Sequence, residues 1–245
     1  MPLTQLEMLE MQALIFDCDG VLVDTERDGH RVAFNAAFKA IGWEAEWSVE
    51  RYGELLTTAG GKERMRRHFD EKGWPVPETE RDAAIASLHK LKTNLFMELI
   101  ESGALPLRTG VARIVDEAIA AKLKIAVCST SNERAVQAVV DKMLGAKRSQ
   151  HIKVFAGDIV ARKKPDPAIY NLAANELGLD PKKCVVVEDS NNGLRAAKAA
   201  DMNCIVTISS YTADEDFELA DRVVPELGDS PGRVVTLSDL SALVR

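Results

Sequence analysis

Aromatic side chains make up only 5% of the 245 residues, and there are just four cysteines, Cys18, Cys128, Cys184 and Cys204. Their spacing matches no CxxC metal pattern, and each lies in or beside an apolar run. They read as buried, reduced thiols rather than as a disulfide frame or a zinc site. No apolar stretch approaches the roughly 18–20 residues that cross a bilayer, so no membrane partner is expected. A basic surplus is missing too: 31 Lys and Arg stand against 38 Asp and Glu, for a net charge of −7. That balance argues against nucleic acid as a partner. The opening MPLTQLEMLEMQ has neither the basic nor the apolar region of a signal peptide. No G-x-G-x-x-G follows the first apolar run, which removes a dinucleotide-binding reading. What is present, 46% apolar and 28% charged residues, is the composition of a folded chain long enough for one large domain or two small ones.

Short apolar runs alternate with amphipathic stretches. Residues 13–16, 124–128, 154–156, 184–187 and 204–208 are rich in β-branched side chains and show no polar alternation. Strands buried on both faces of a parallel sheet have that pattern. Helical periodicity falls between them at 111–121, 133–144, 167–177 and 194–200, with Gly145 and Gly178 as stop signals. The alternation predicts an α/β fold with a parallel sheet. One interval interrupts it. From 25 to 103 no strand is evident, while 31–41, 62–72 and 81–101 read as helices. About eighty residues are too many for an ordinary connection. The interval therefore predicts an inserted helical domain at 25–103, within a core made of 1–24 and 104–245.

Ligands of open parallel sheets bind beyond the carboxyl ends of the strands. Those ends carry Asp17-Cys-Asp19-Gly20, Ser129-Thr130-Ser131-Asn132 and Glu188-Asp189, and a loop after the third strand carries Lys163-Lys164-Pro165. Clustered carboxylates repel one another unless a cation joins them. Asp17 and Asp19 from one loop with Asp189 from a neighbouring strand suit an octahedral Mg²⁺ site. A phosphoryl group needs donors and positive charge, which Ser129, the amides of the helix starting near Asn132, and Lys164 can supply. Asp17 is then a candidate nucleophile. Asp19 is a candidate acid that protonates the leaving oxygen and afterwards activates water. Gly20 allows the tight turn beside them.

Asp17-Cys-Asp19-Gly20-Val21-Leu22, Ser129, Lys164 and Glu188-Asp189 together resemble the motifs of the haloacid dehalogenase superfamily, in the family's order. The resemblance implies a Rossmann-like core, a helical cap at 25–103, Mg²⁺ and an aspartyl-phosphate intermediate. It makes Asp17 the nucleophile and Asp19 the acid/base, with Ser129 and Lys164 holding the transferred group. Asp17, the Asp19 carbonyl and Asp189 would ligate the metal, and Glu188 would lie near it, through water in one arrangement. A second aspartate at position 19 favours phosphate over carbon–halogen chemistry. Asp24-Thr25-Glu26, the stretch from Tyr52 to Arg64, Leu88–Lys92, Cys128–Arg134 and Tyr211–Phe217 resemble the CbbY proteins of photosynthetic organisms. That likeness implies dephosphorylation of xylulose 1,5-bisphosphate, an inhibitory by-product of Rubisco, to xylulose 5-phosphate.

A bisphosphate needs a second cationic pocket. Thr58-Ala59-Gly60-Gly61-Lys62 has two glycines for close backbone approach and a lysine at a helix start. It reads either as a phosphate cradle or as an ordinary turn. His89 and Lys92 share a helix face, which serves an anion or simply water. Arg134 is a further phosphate candidate, and Glu26 a candidate acceptor for sugar hydroxyls. Arg64, Arg66 and Arg67 fit a basic site or a solvated helix equally. The resemblance carries Glu26, Gly60, Gly61, Lys62, His89, Lys92 and Asn132 over as substrate contacts. Trp43 and Trp47 read as apolar core, and His30 and His68 receive no role.

The expected partner is thus a small sugar phosphate, and a monomer is expected. Location would be the plastid stroma for a photosynthetic eukaryote and otherwise the cytoplasm. Two rival functions remain at this stage. A phosphosugar mutase of the β-phosphoglucomutase type would return the phosphoryl group to the sugar, and a phospho-accepting regulatory module would keep it on aspartate.

Overall fold

A computed structural model describes residues 11–58, 60–229 and 234–244. The first ten residues, and Ala59 of the double-glycine loop, lie outside them. The apolar runs become the strands β1 (Ala13–Phe16), β2 (Lys124–Ser129), β3 (Ile152–Ala156), β4 (Cys184–Glu188) and β5 (Asn203–Thr207). A short β6 (Arg222–Val224), which the sequence did not announce, completes a six-stranded parallel sheet in the order β3-β2-β1-β4-β5-β6. β6 is an edge strand of three half- to fully exposed residues, so it carries no buried run to betray it. β1, by contrast, is wholly buried along its length. All four cysteines are buried and free.

Helices α5 (Val111–Ala120), α6 (Glu133–Val139), α8 (Ala168–Leu177) and α9 (Asn191–Ala199) lie where the periodicity predicts them; the short α7 (Ala146–Ser149) and α10 (Leu237–Ser241) were not expected. The element expected at 133–144 is a helix only to Val139 and finishes as a wider turn through Leu144 before Gly145. α8 packs on β2 and β3, and α9 on β4 and β5. Their Ile169, Tyr170, Ala173, Leu194 and Ala197 join Ala13, Ile15, Ala126, Val186 and Val206 in one apolar layer. Small residues at Ala173, Ala196 and Ala197 let these helices lie close against the strands.

The sheet's order reverses beside β1, where the chain first runs outward to β2 and β3 and then returns to β4. Such a switch point opens a crevice at the strand carboxyl ends. Register fixes what stands there. Phe16 pairs with Val187 on one side and with Val127 on the other. The Asp17 amide then donates to the Val187 carbonyl at 2.9 Å. Asp17 is thereby set beside Glu188 and Asp189, and Ser129 ends the neighbouring strand.

The chain divides into two compact units, Met1–Asp24 with Pro106–Arg245, and Thr25–Leu105. The sequence had suggested 103 as the far boundary. The second unit is helical. A wide turn over Thr25–His30 leads into α1 (Arg31–Ala40), followed by α2 (Val49–Leu56), α3 (Gly61–Lys72) and α4 (Arg81–Glu101). α2 was not expected. Ser48 starts it by accepting the Arg51 amide, the capping pattern of a helix N-terminus. Its core is aromatic: Trp47 packs on Phe34 and Phe38 at 4.6 and 5.1 Å, and Trp43 meets Phe69 edge-on at 4.9 Å. Both tryptophans serve packing, as their apolar setting suggested.

Candidate active site

In the sheet unit, Lys164 is the organising cation. Its Nζ donates to Asp17 Oδ1 at 2.6 Å, to Glu188 Oε1 at 2.7 Å and to the Cys128 carbonyl at 2.9 Å. Three donors meet three acceptors, so the ammonium is satisfied although it is buried. The Lys164–Pro165 peptide is cis. Burial pulls the Lys164 ammonium down, but Asp17 and Glu188 override it and hold it well above the ordinary lysine range. Tyr170 on α8 adds a hydroxyl donor to Glu188 Oε1 at 2.5 Å. Burial, reinforced by Glu188, keeps that phenol protonated.

One lysine does not balance the acids gathered here. Oxygens of Asp17, Glu188 and Asp189 lie within 4.8 Å of one another. Burial pushes the Asp17 carboxyl up to about 7; Glu188 and Asp19 add to the rise, and Lys164 opposes it. Asp189 is likewise raised, by burial first and then by Glu188 and Asp17. Hard carboxylate oxygens that cannot comfortably all ionise together are a fitting donor set for a small hard dication. The residues present fit Mg²⁺.

Asp19 stands differently. Its Oδ2 accepts the Ser131 hydroxyl at 2.5 Å and lies 3.4 Å from the Ser129 hydroxyl. Its side chain is thus turned toward the serines at the end of β2, outside the carboxylate trio. Ser129 Oγ also accepts the Ser131 amide at 3.1 Å, which shapes the 129–131 turn. Asn132 caps α6 by accepting the Ala135 amide at 3.3 Å. Thr130 is half-buried on the same turn, and Arg134 is exposed in the first turn of α6.

Two glycines the site needs have no chemistry of their own. Gly20 has φ +79°, and a Cβ there would come within 2.0 Å of Asp189 Oδ2. Gly193 lies inside α9, where a Cβ would come within 2.0 Å of both Glu188 carboxylate oxygens. Only glycine lets Glu188 sit under that helix. A glycine inside a helix costs about 1 kcal/mol against alanine, and this was the one signal that could have marked position 193. Tyr170 had no such signal.

The helical unit has a polar cluster of its own. Glu26 Oε2 accepts the Tyr52 hydroxyl at 2.6 Å, and Arg64 lies 3.2 Å from that hydroxyl and 3.8 Å from Glu26. Lys92 is buried, with Nζ 2.9 Å from His30 Nδ1 and 4.7 and 5.2 Å from the Phe34 and Phe96 ring centres. Burial lowers its ammonium to about 8, with Arg64 pushing the same way against Glu26. Burial and Lys92 together hold His30 well below the imidazole range. His30, given no role from the sequence, is thus the hydrogen-bond partner of Lys92. Gly61 lies against the same group: a Cβ there would be 3.1 Å from His89 Nε2 and from Phe34.

Other basic candidates of this unit are placed elsewhere. Gly60 has φ +90°, and the space a Cβ would fill holds the Glu63 carboxylate, 2.2 Å away. Lys62 is exposed on the first turn of α3. Arg66 pairs with Asp82 at 2.7 Å and Arg67 with Glu71 at 2.9 Å, the solvated-helix alternative for both.

Known proteins share both the sequence and the fold. Residues 11–201 match the family model described as a haloacid dehalogenase-like hydrolase. A CBBY-like protein of Arabidopsis thaliana is 60% identical over 237 residues, 95% of this chain and 74% of that protein. CbbY from Rhodobacter sphaeroides, solved in complex with phosphate, superposes with a TM-score of 0.72 at 40% identity, over 94% of this chain and 99% of that one. A point mutant of the same protein, solved with xylulose-(1,5)bisphosphate, gives a TM-score of 0.69 at 40% identity, over 92% and 100%.

Proposed function

The chain belongs to the haloacid dehalogenase-like hydrolase family, and from that membership we propose that it is a Mg²⁺-dependent sugar-phosphate phosphatase whose substrate is xylulose 1,5-bisphosphate, cleaved to xylulose 5-phosphate and inorganic phosphate. The observation that carries this reading is Lys164 bridging Asp17 and Glu188, two members of a carboxylate trio completed by Asp189. A phosphoryl group bound there meets a nucleophile, a cation and an acid at once. The choice of bisphosphate is supported by the likeness to a protein solved with that ligand, and by the cation-rich cluster of the helical unit.

Asp17 attacks phosphorus, forming an acyl-phosphate bond as the bond to the sugar oxygen breaks. Asp19 gives its proton to that oxygen, and the ionised Asp19 then takes a proton from the water that splits the acyl phosphate. Ser129 and Lys164 hold the phosphoryl oxygens during both transfers. Mg²⁺ held by Asp17, the Asp19 carbonyl and Asp189, with Glu188 close by, would neutralise charge on the transferred group. Arg64, Lys92 and His89 are the helical unit's candidates for the phosphate that is retained, and Glu26 for a sugar hydroxyl. The reading places the enzyme where Rubisco works, in a plastid stroma or a bacterial cytoplasm.

The test is a phosphate-release screen over sugar mono- and bisphosphates, with Mg²⁺ and with EDTA. The expected result is preference for xylulose 1,5-bisphosphate over its ribulose isomer and no release in EDTA. Strong cleavage of the ribulose ester would overturn the substrate, and metal-independent release would overturn the metal. An isomeric sugar phosphate without free phosphate would make the protein a mutase.

A further inference from the structure

Asp189 is held from two sides. On one side lies the Gly20 backbone, so close that no side chain fits between them. On the other lies the segment after β5: its Thr207 hydroxyl donates to the carbonyl of Glu188, the residue before Asp189, at 3.4 Å, and its Ser209 side chain stands next to the Asp189 carboxylate. Ser209 in turn is fixed by Thr212, whose Oγ1 accepts its amide at 3.0 Å. These two flanks come from distant parts of the chain: the turn after β1 and the segment after β5.

A single side chain ties them together. Arg108 Nη1 donates to the Gly20 carbonyl, to the Thr207 carbonyl at 3.0 Å and to Thr207 Oγ1 at 3.2 Å. Its Nη2 donates to the Ile208 carbonyl at 2.6 Å and to the Pro225 carbonyl at 3.0 Å. Its backbone amide adds a bond to the Leu22 carbonyl at 2.8 Å, in the same turn as Gly20. Val23 and Leu107 form a bridge beside it. We propose that Arg108 is a positioning residue of the metal site: by clasping the Gly20 turn to the Thr207–Ser209 segment it sets the place of the Asp189 carboxylate that would meet a divalent cation. This rests on the metal reading given above. The planar guanidinium is what the task requires, since its fixed fork reaches carbonyls on both flanks, whereas an ammonium on a flexible stem offers one centre.

Arg113 on α5 provides a matched comparison. It too binds backbone carbonyls, those of Leu227, Gly228 and Val235 at 3.2, 2.7 and 2.9 Å, but it holds no flank of Asp189. Mn²⁺ can be titrated into the full chain, with the free ion counted by electron paramagnetic resonance. Wild type, Arg108→Ala, Arg108→Lys and Arg113→Ala are compared, and metal-free Tm is measured in parallel. Removing a group that orients a ligand typically weakens metal binding about 10–100-fold. Arg108→Ala is expected to lose affinity in that range and Arg108→Lys several-fold, while Arg113→Ala lowers Tm yet binds Mn²⁺ like wild type. At saturating Mg²⁺ the KM for substrate should be unchanged in the Arg108 variants. If Arg108→Ala fails to fold, the lysine variant carries the comparison. Wild-type Mn²⁺ affinity in both Arg108 variants, or equal losses in Arg108→Lys and Arg113→Ala, would overturn the role of Arg108. A wild type that binds no Mn²⁺ would instead overturn the metal site itself.

Discussion

The two units solve opposite electrostatic problems with similar materials. Lys164 of the sheet unit stands among Asp17, Asp19, Glu188 and Asp189, and burial there drives carboxyl groups upward. Glu26 of the helical unit stands among Arg64, His89, His30 and Lys92, and burial there drives cations downward. A region short of positive charge favours a metal ion, and a region short of negative charge favours an anion. The difference is what the proposed function builds on, a cation in the sheet unit and an anion in the helical one.

Asp17→Asn is the most damaging way to test that assignment. It should lower kcat on the order of 10⁴-fold or more, as loss of a nucleophile does, while circular dichroism shows an intact fold. Turnover near that of wild type would end the nucleophile role. Next come the two buried lysines, which should behave in opposite ways. Lys164→Met leaves the Asp17 and Glu188 carboxylates without their shared partner. Breaking a buried pair in this way costs about 3–5 kcal/mol, read as a lowered denaturation midpoint. Mg²⁺ should restore part of that loss, because it supplies the missing charge.

Lys92→Met should leave stability within about 1 kcal/mol of wild type, because the ammonium it removes was already held at a cost. Function should suffer instead. Loss of one charged contact should raise KM for the bisphosphate about tenfold or more and leave a small monophosphate nearly unaffected. Equal losses on both substrates would mean that the helical unit does not hold the second phosphate. A Lys92→Met protein as unstable as Lys164→Met would erase the contrast between the units.

How much of this could be seen in the sequence depended on the kind of interaction. β1, β2, β4 and β5 were legible because strands buried on both faces leave unbroken apolar runs, whereas β6, exposed at the edge, leaves none. α2 is only eight residues long, carries a glycine and buries only Tyr52 and Leu55, so its apolar period is too short to stand out. Asp17, Lys164, Glu188 and Asp189 were legible because carboxylates and a lysine at strand ends suggest chemistry by residue type alone. Gly193, Tyr170, Ser209 and Arg108 act through close approach or through bonds to carbonyls and to other side chains, and such roles carry no pattern. His30 was set aside for want of metal spacing, while its partner Lys92 lies 62 positions away. The double glycine was legible as a special backbone, but only the structure shows Glu63 at Gly60 and His89 at Gly61.

The smallest expected effect is the pH dependence that Lys92 imposes. Its folded value of about 8 lies below the ordinary 10.5. Between those values the unfolded chain binds more protons than the folded one, so stability from this group rises with pH across that window. Below about pH 8 the burial penalty is fully present. Binding runs the other way, since the ammonium that would attract phosphate is lost as pH climbs past 8. The neighbouring His30 and His89 are held below the imidazole range and are already neutral there. Phosphate monoesters have their second pKa at about 6, so by pH 8 the substrate's charge has almost stopped changing. KM for the bisphosphate should therefore rise a few-fold between pH 8 and 9 in wild type and stay flat in Lys92→Met. A rise that survives the substitution would belong to another group and would remove Lys92 from the anion site.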